Sequence, residues 1–144
     1  MKKICFQLVL LIFACLFMRC RQAAPEDNES GFVEKVFVVN TVDKDEKLKE
    51  YLAYHKKVWP EVEAGFKKAG YRSIVLYRFA DLIVMTISVP ENADLVQMGK
   101  LAESYSPRCA EWNKLMSAYQ KGVDGTSQGE KWVEVIPFYQ FNNK

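Results

Sequence analysis

Tyr51, His55 and Trp59 recur at intervals of four residues. On a helix that spacing sets three rings along one side. His55 is the only histidine in the 144-residue chain, so no site here draws two imidazoles from one copy. An imidazole titrates near pH 6.5, and both protonation states are then available at neutrality, as general acid–base chemistry requires. A tyrosine one turn away can exchange a proton with the same small molecule. An indole offers a flat apolar wall that suits the C–H face of a sugar. The same rings fit a helix face turned into a core, with the imidazole nitrogens meeting a backbone carbonyl and a hydroxyl. Spacing alone leaves both roles open.

Other chemistry is weaker. The cysteines are Cys5, Cys15, Cys20 and Cys109. Cys109 stands apart in sequence from the one histidine that could activate it, and reads as a small buried residue. With the other three confined to the N-terminal segment, a domain disulfide and a four-cysteine zinc site are excluded. There is no glycine-rich phosphate loop and no nucleophile elbow. Asp43, Asp45 and Glu46 read as a helix cap and dipole partners. Lys56-Lys57 and Lys67-Lys68 read as a solvated face. Trp132, beside Lys131, fits core and site wall equally.

The elements that must position these residues form one domain. The chain is 49% hydrophobic, enough for a core, and its seven Gly and five Pro exclude a collagen-like or disordered chain. Phe32 to Val39 is β-branched and apolar, a strand. Lys44 to Ala69 carries Leu48, Tyr51/Leu52, His55, Val58/Trp59, Val62 and Phe66 at helical spacing, and Gly70 stops it. Pro60 either kinks this helix or starts a second one. Ser73 to Phe79 and Leu82 to Val89 read as a hairpin turning at Ala80-Asp81. Asn92 to Ser104 and Pro107 to Gln120 read as two helices, Gly122 to Gly129 as a loop, and Trp132 to Phe141 as a last strand, with Pro137 marking an edge or bulge. The order strand, helix, strand, strand, helix, strand is the split βαβ, ferredoxin-like α+β plan, an antiparallel sheet with helices on one face. The other face then needs cover, and a second copy packed sheet to sheet, a dimeric α/β barrel, supplies it.

Met1-Lys2-Lys3 followed by the apolar run Ile4 to Met18 has the layout of an export signal and is short for a spanning helix. Residues 1–24 are expected to export the chain, to the periplasm or to a lipid anchor on the bacterial envelope, with Cys15 in a weak lipoprotein-like context and Cys20 after an arginine; an uncleaved membrane anchor is the alternative. Residues 25–31 are linker, and 32–144 the folded domain. Four of the 20 basic residues lie in that first segment, so from Pro25 onward 16 basic residues face 18 acidic ones. That balance argues against nucleic acid or an anionic membrane as a partner of the domain.

The run Tyr51-Leu52-Ala53-Tyr54-His55-Lys56-Lys57-Val58-Trp59-Pro60-Glu61 resembles the signature of the L-rhamnose mutarotase family: Tyr, three residues, His, three residues, then Trp-Pro-Glu. Pro107 to Met116, with Trp112 and Met116, resembles the family's second block, and the resemblance spans about residues 33 to 141. It implies a dimeric ferredoxin-like protein that interconverts the anomers of a 6-deoxy-L-hexose, with no cofactor and no metal. His55 falls on the family's catalytic histidine, Tyr51 on the tyrosine one turn before it, and Trp112 on a substrate-contacting tryptophan. The rhamnose enzymes carry a further site tyrosine in the strand after the helix-ending glycine, and Arg72 or Ile74 stands at that place here. Tyr77-Arg78 and Gly129-Glu130-Lys131-Trp132 look more like a sister branch of L-fucose mutarotases.

Mutarotation opens the ring hemiacetal, lets the aldehyde turn and recloses it. One group takes a proton while another gives one. On this reading His55 is expected to serve one oxygen and Tyr51 or a water the other, with which serves which left open; Trp59, Trp112 and Trp132 are expected to form the wall against the ring, and Arg78 to hold the hydroxyls. Two other functions fit the same residues: a non-catalytic sugar-binding module at the envelope, and a small dimeric barrel holding an aromatic or haem-like ligand.

Overall fold

The computed structural model describes residues 31–42 and 45–143. The expected export segment, and all of the linker before Gly31, lie outside the described residues, and among these no helix is long and apolar enough to cross a membrane.

The chain runs β1 (Phe32–Thr41), α1 (Asp45–His55), α2 (Pro60–Ala69), β2 (Ser73–Phe79), β3 (Leu82–Pro90), α3 (Leu95–Ser104), α4 (Pro107–Ser117), β4 (Gln120–Lys121) and β5 (Val133–Val135). The sheet order is β2-β3-β1-β4, with β5 also paired to β1. Each of these pairings is antiparallel. This is the ferredoxin-like α+β plan expected from the order of elements.

Local chemistry explains the helix ends. Asp45 and Glu46 fill the first turn of α1, where the dipole favours negative charge. Pro60 occupies the first turn of α2, where no N–H is needed, and Gly70 ends that helix at φ 93° with its N–H on Lys67 O and the Tyr71 N–H on Phe66 O. Asp94 Oδ1 accepts from the N–H groups of Val96 and Gln97, both at 3.0 Å, so α3 begins at Leu95 rather than at Asn92. Ser106 caps α4 through the Arg108 N–H at 3.3 Å.

Of the two outcomes open at Pro60, it starts a second helix, and Trp59 is the N-cap residue at φ −66°, ψ 134°. Other expectations need correction. Tyr51, His55 and Trp59 do not share one helical face. The helix from Pro107 ends at Ser117 and not at Gln120, because the Ala118 and Tyr119 N–H groups turn back to Leu115 O and Met116 O and Gln120 pairs with Thr41. The last strand is Val133–Val135 and not Trp132 to Phe141, because Pro137 has no N–H to pair and Ile136 already projects into solvent. In exchange, β1 gains the short partner β4, through Thr41↔Gln120 and Asn40↔Lys121.

Residues opposite one another in an antiparallel pair point to the same face. Val39 and Ile83 are such a pair, and both are buried in a cluster with Tyr51, Val62, Trp112, Met116 and Tyr119. A second cluster joins Ile87 and Val89 to Ala69, Met98 and Ala102. The helices thus cover one face. The opposite face shows two rows, Val75–Thr86–Val36–Val135 and Tyr77–Val84–Val38–Val133. Val75, Tyr77 and Val135 on it are exposed.

Gly65 lets the helices approach. A Cβ there would stand 2.7 Å from the Ala102 carbonyl oxygen and 3.3 Å from Cys109 Sγ. Cys109 is buried, as expected, and its thiol donates to Glu61 O at 3.3 Å.

Candidate active site

His55 is the last residue of α1, so its ring projects where the helix stops. Its Nδ1 lies 2.9 Å from the carbonyl oxygen of Tyr51. A carbonyl only accepts, so Nδ1 carries the proton and the lone pair of the neutral ring resides on Nε2. Burial pushes the histidine below its ordinary value, opposed in part by that hydrogen bond. At neutral pH the imidazole is a free base with one acceptor nitrogen.

Tyr51 is 1% exposed and stacks obliquely on the imidazole, with ring centroids 4.3 Å apart. Burial raises its phenol, and a hydrogen bond from Gln120 Nε2 to Tyr51 Oη at 3.3 Å pulls partly the other way. Trp112, on α4, meets the His55 ring edge-on at 5.5 Å. Trp59 meets Trp112 edge-on at 5.2 Å, and the Arg108 guanidinium lies 3.6 Å over the Trp59 ring. Arg108 also pairs with Glu111 at 2.8 Å.

Tyr51, His55, Trp112 and Trp132 all line a cavity of about 1130 Å³. Its walls are mainly apolar, with Phe37, Leu76 and Met85 from the sheet, Phe66 from α2 and Met116 from α4, and Glu63, Lys67, Arg72 and Asn113 add polar groups. A mostly apolar pocket with a few convergent polar groups is the usual form of a small-molecule site. Lys131 donates to Ser117 O and, at 2.8 Å, to Ser117 Oγ. This ties the segment bearing Trp132 to the end of α4, where a cation is favoured.

Four of the expected site residues therefore converge. Trp59 and Arg78 are not among the lining residues. Trp59 backs Trp112 from behind, and Arg78 is exposed on β2. Both Arg72 and Ile74, the alternatives at the place of the extra family tyrosine, line the cavity, and so does Tyr71. Lys67 lines it too, although its run reads as a solvated face. Sequence reading missed Asn113 and Gln120. Asn113, next to Trp112, was within reach of the family block; Gln120 had no signal, because what aims it is a two-residue strand.

The sequence profile described as L-rhamnose mutarotase matches residues 34–141. An L-fucose mutarotase of Xanthomonas campestris pv. campestris is 34% identical over 101 residues, covering 68% of this chain and 79% of that protein. A UPF0734 protein of Dictyostelium discoideum is 26% identical over 98 residues, covering 65% of this chain and 78% of that one. Among solved structures, a dimeric ferredoxin-like protein from an uncultured marine organism superposes with a TM-score of 0.50 at 11% identity, over 84% of this chain and 100% of that one. The last likeness concerns the fold alone. With the profile match running from the first strand past the last, the chain belongs to the L-rhamnose mutarotase family.

Proposed function

We propose that the protein is a mutarotase for a 6-deoxy-L-hexose, with L-fucose favoured over L-rhamnose. The observation that carries the reading is a proton acceptor, His55 Nε2, beside a phenol, Tyr51, in one cavity walled by Trp112. Identity to an L-fucose mutarotase supports the choice of sugar, as does Ile74 or Arg72 where the rhamnose enzymes carry a tyrosine.

In the proposed cycle His55 Nε2 takes the proton of the anomeric hydroxyl. The C1–O5 bond breaks, C1=O1 forms, and Tyr51 gives its proton to O5. The aldehyde then turns about C1–C2 to present its other face. Reclosure reverses the transfers: O5 attacks C1 and returns its proton to the Tyr51 phenolate, while O1 takes the proton from the imidazolium. Atoms and charge balance, and the groups end as they began. Acid–base catalysis of this kind supplies about 10²–10⁴-fold. Trp112 and Trp132 hold the apolar face of the ring. The hydroxyls fall to Asn113 and Lys67 rather than to Arg78.

We further propose that two copies pair through the sheet face opposite the described helices, with its rows of valines and Tyr77, and that residues 1–24 deliver the enzyme to the envelope.

Exchange NMR on the anomeric protons of L-fucose and L-rhamnose tests the function, with His55→Ala alongside. Exchange above the buffer rate with L-fucose, lost in the variant, is expected. Saturable sugar binding with buffer-rate exchange would instead identify a non-catalytic sugar-binding module.

A further inference from the structure

Gln120 lies in β4, where its backbone pairs opposite Thr41. Thr41 is buried on the helix-covered face, so Gln120 is turned the same way. Its Nε2 reaches Tyr51 Oη at 3.3 Å, and both residues line the cavity that holds His55. A phenol has one proton to give and lone pairs to accept with, whereas an amide N–H only gives. Once Tyr51 Oη accepts from the amide, its own proton has to point to another acceptor. His55 presents the complementary polarity, because its Nδ1–H is held by the Tyr51 carbonyl and Nε2 only accepts.

The geometry points to Gln120 as a positioning residue: its amide, donating to Tyr51 Oη, commits the Tyr51 hydroxyl to act as proton donor opposite His55 Nε2. This rests on the mutarotase reading and deepens it. Ring opening needs one acceptor and one donor at the same instant. Without the amide, the Tyr51 oxygen is free to accept a hydrogen bond from the anomeric hydroxyl in place of His55 Nε2, which turns that proton away from the base and the Tyr51 proton away from the ring oxygen. The amide also stabilises the phenolate left when that proton departs, against the burial that disfavours it.

The test uses the full chain and the variants Gln120→Met, Gln120→Glu, Tyr51→Phe and the double variant Gln120→Met/Tyr51→Phe. The first readout needs no sugar. In protein carrying ¹³Cζ-labelled tyrosine, the Tyr51 resonance is the one missing from Tyr51→Phe. Removing a donor from Oη in Gln120→Met raises the pH at which Tyr51 titrates. An unchanged or lowered titration overturns the proposal, because the amide then does not donate.

The second readout is anomer exchange. Gln120→Met is expected to lower kcat about tenfold with KM within about twofold. In the Tyr51→Phe background the same substitution adds no further loss. Gln120→Glu places a carboxylate that draws the Tyr51 proton to itself, so its rate falls to that of Tyr51→Phe. On acidification the protonated carboxyl donates again, and the rate of this variant rises relative to the unmodified protein. Equal losses from Gln120→Met in both backgrounds overturn the proposal and leave Gln120 a packing residue. If the unmodified protein accelerates no anomer exchange, the functional reading falls, while the Tyr51 titration still decides the polarity of the hydrogen bond.

Discussion

The imidazole of His55 is tied by Nδ1 to the carbonyl oxygen of Tyr51, 2.9 Å away and one turn earlier in the same helix. The residue that supplies the phenol thus also sets the tautomer of the base, and a single helical turn carries both halves of the proposed proton exchange.

The pH profile follows from the two shifts. Burial lowers the His55 value, so the base form persists below pH 6.5, and burial raises that of Tyr51, so its proton persists past pH 10. The profile of kcat/KM, corrected for the spontaneous rate, should be flat through neutrality, with its acid limb below pH 6.5. An acid limb at or above that value contradicts the assignment of His55. Stability carries the same sign. Between the folded His55 value and 6.5 the unfolded chain binds the extra proton, so unfolding becomes easier as pH falls through that window, and His55→Ala removes this component.

Trp59 is expected to act through Trp112. The edge-on pair at 5.2 Å holds the Trp112 indole against His55. Such aromatic pairs contribute about 0.5–1.5 kcal/mol beyond their burial. Trp59→Leu should therefore raise KM by roughly twofold to tenfold. In a Trp112→Leu background it should leave KM unchanged, since nothing remains for it to position. A persisting effect in that background would show that Trp59 meets the sugar directly. Arg108→Ala, which uncovers the Trp59 ring, should act in the same direction but more weakly.

Most of the fold was readable because its signals are local. β-branched runs, the Ala80-Asp81 turn, Pro107 after Ser106 and the closing Gly70 each mark an element boundary by backbone chemistry. The break after His55 was hidden: Lys56, Lys57 and Val58 continue a helical pattern, and only Pro60 betrays the restart. That break is why Trp59 moved out of the row it was expected to share with Tyr51 and His55. Tyr51 and Trp112 belong to the main buried cluster and also line the cavity. Periodicity reports burial alone, so it leaves their chemical role unassigned, and only the family signature separates the two. Gln120 was invisible because a two-residue strand has no alternation to read.

Gly65→Ala tests the helix packing under the site. The added methyl would stand 2.7 Å from the Ala102 carbonyl oxygen, a backbone atom that moves only with α3. Overpacking of this kind costs about 1–3 kcal/mol. Thermal unfolding should drop by several degrees. The His55 end of α1 lies outside this contact, so KM at a temperature well below unfolding should stay within about twofold. An unchanged midpoint would mean that α2 and α3 pack less closely than the structure has them.

The bare sheet face tests the assembly. Val84 sits mid-row, flanked across the strands by Tyr77 and Val38, and no helix among the described residues covers it. A charge there is cheap in an isolated chain, where the side chain is only half-buried, and costly once a second sheet packs over it without a partner for the charge. Light scattering on the unmodified protein should give twice the 16.6 kDa of a single chain. Val84→Asp should give the single-chain mass, with circular dichroism unchanged. Thr86→Asp should act the same way, from the neighbouring row. A single-chain mass for the unmodified protein at micromolar concentration would rule out pairing through this face and leave its valines without a role that packing explains.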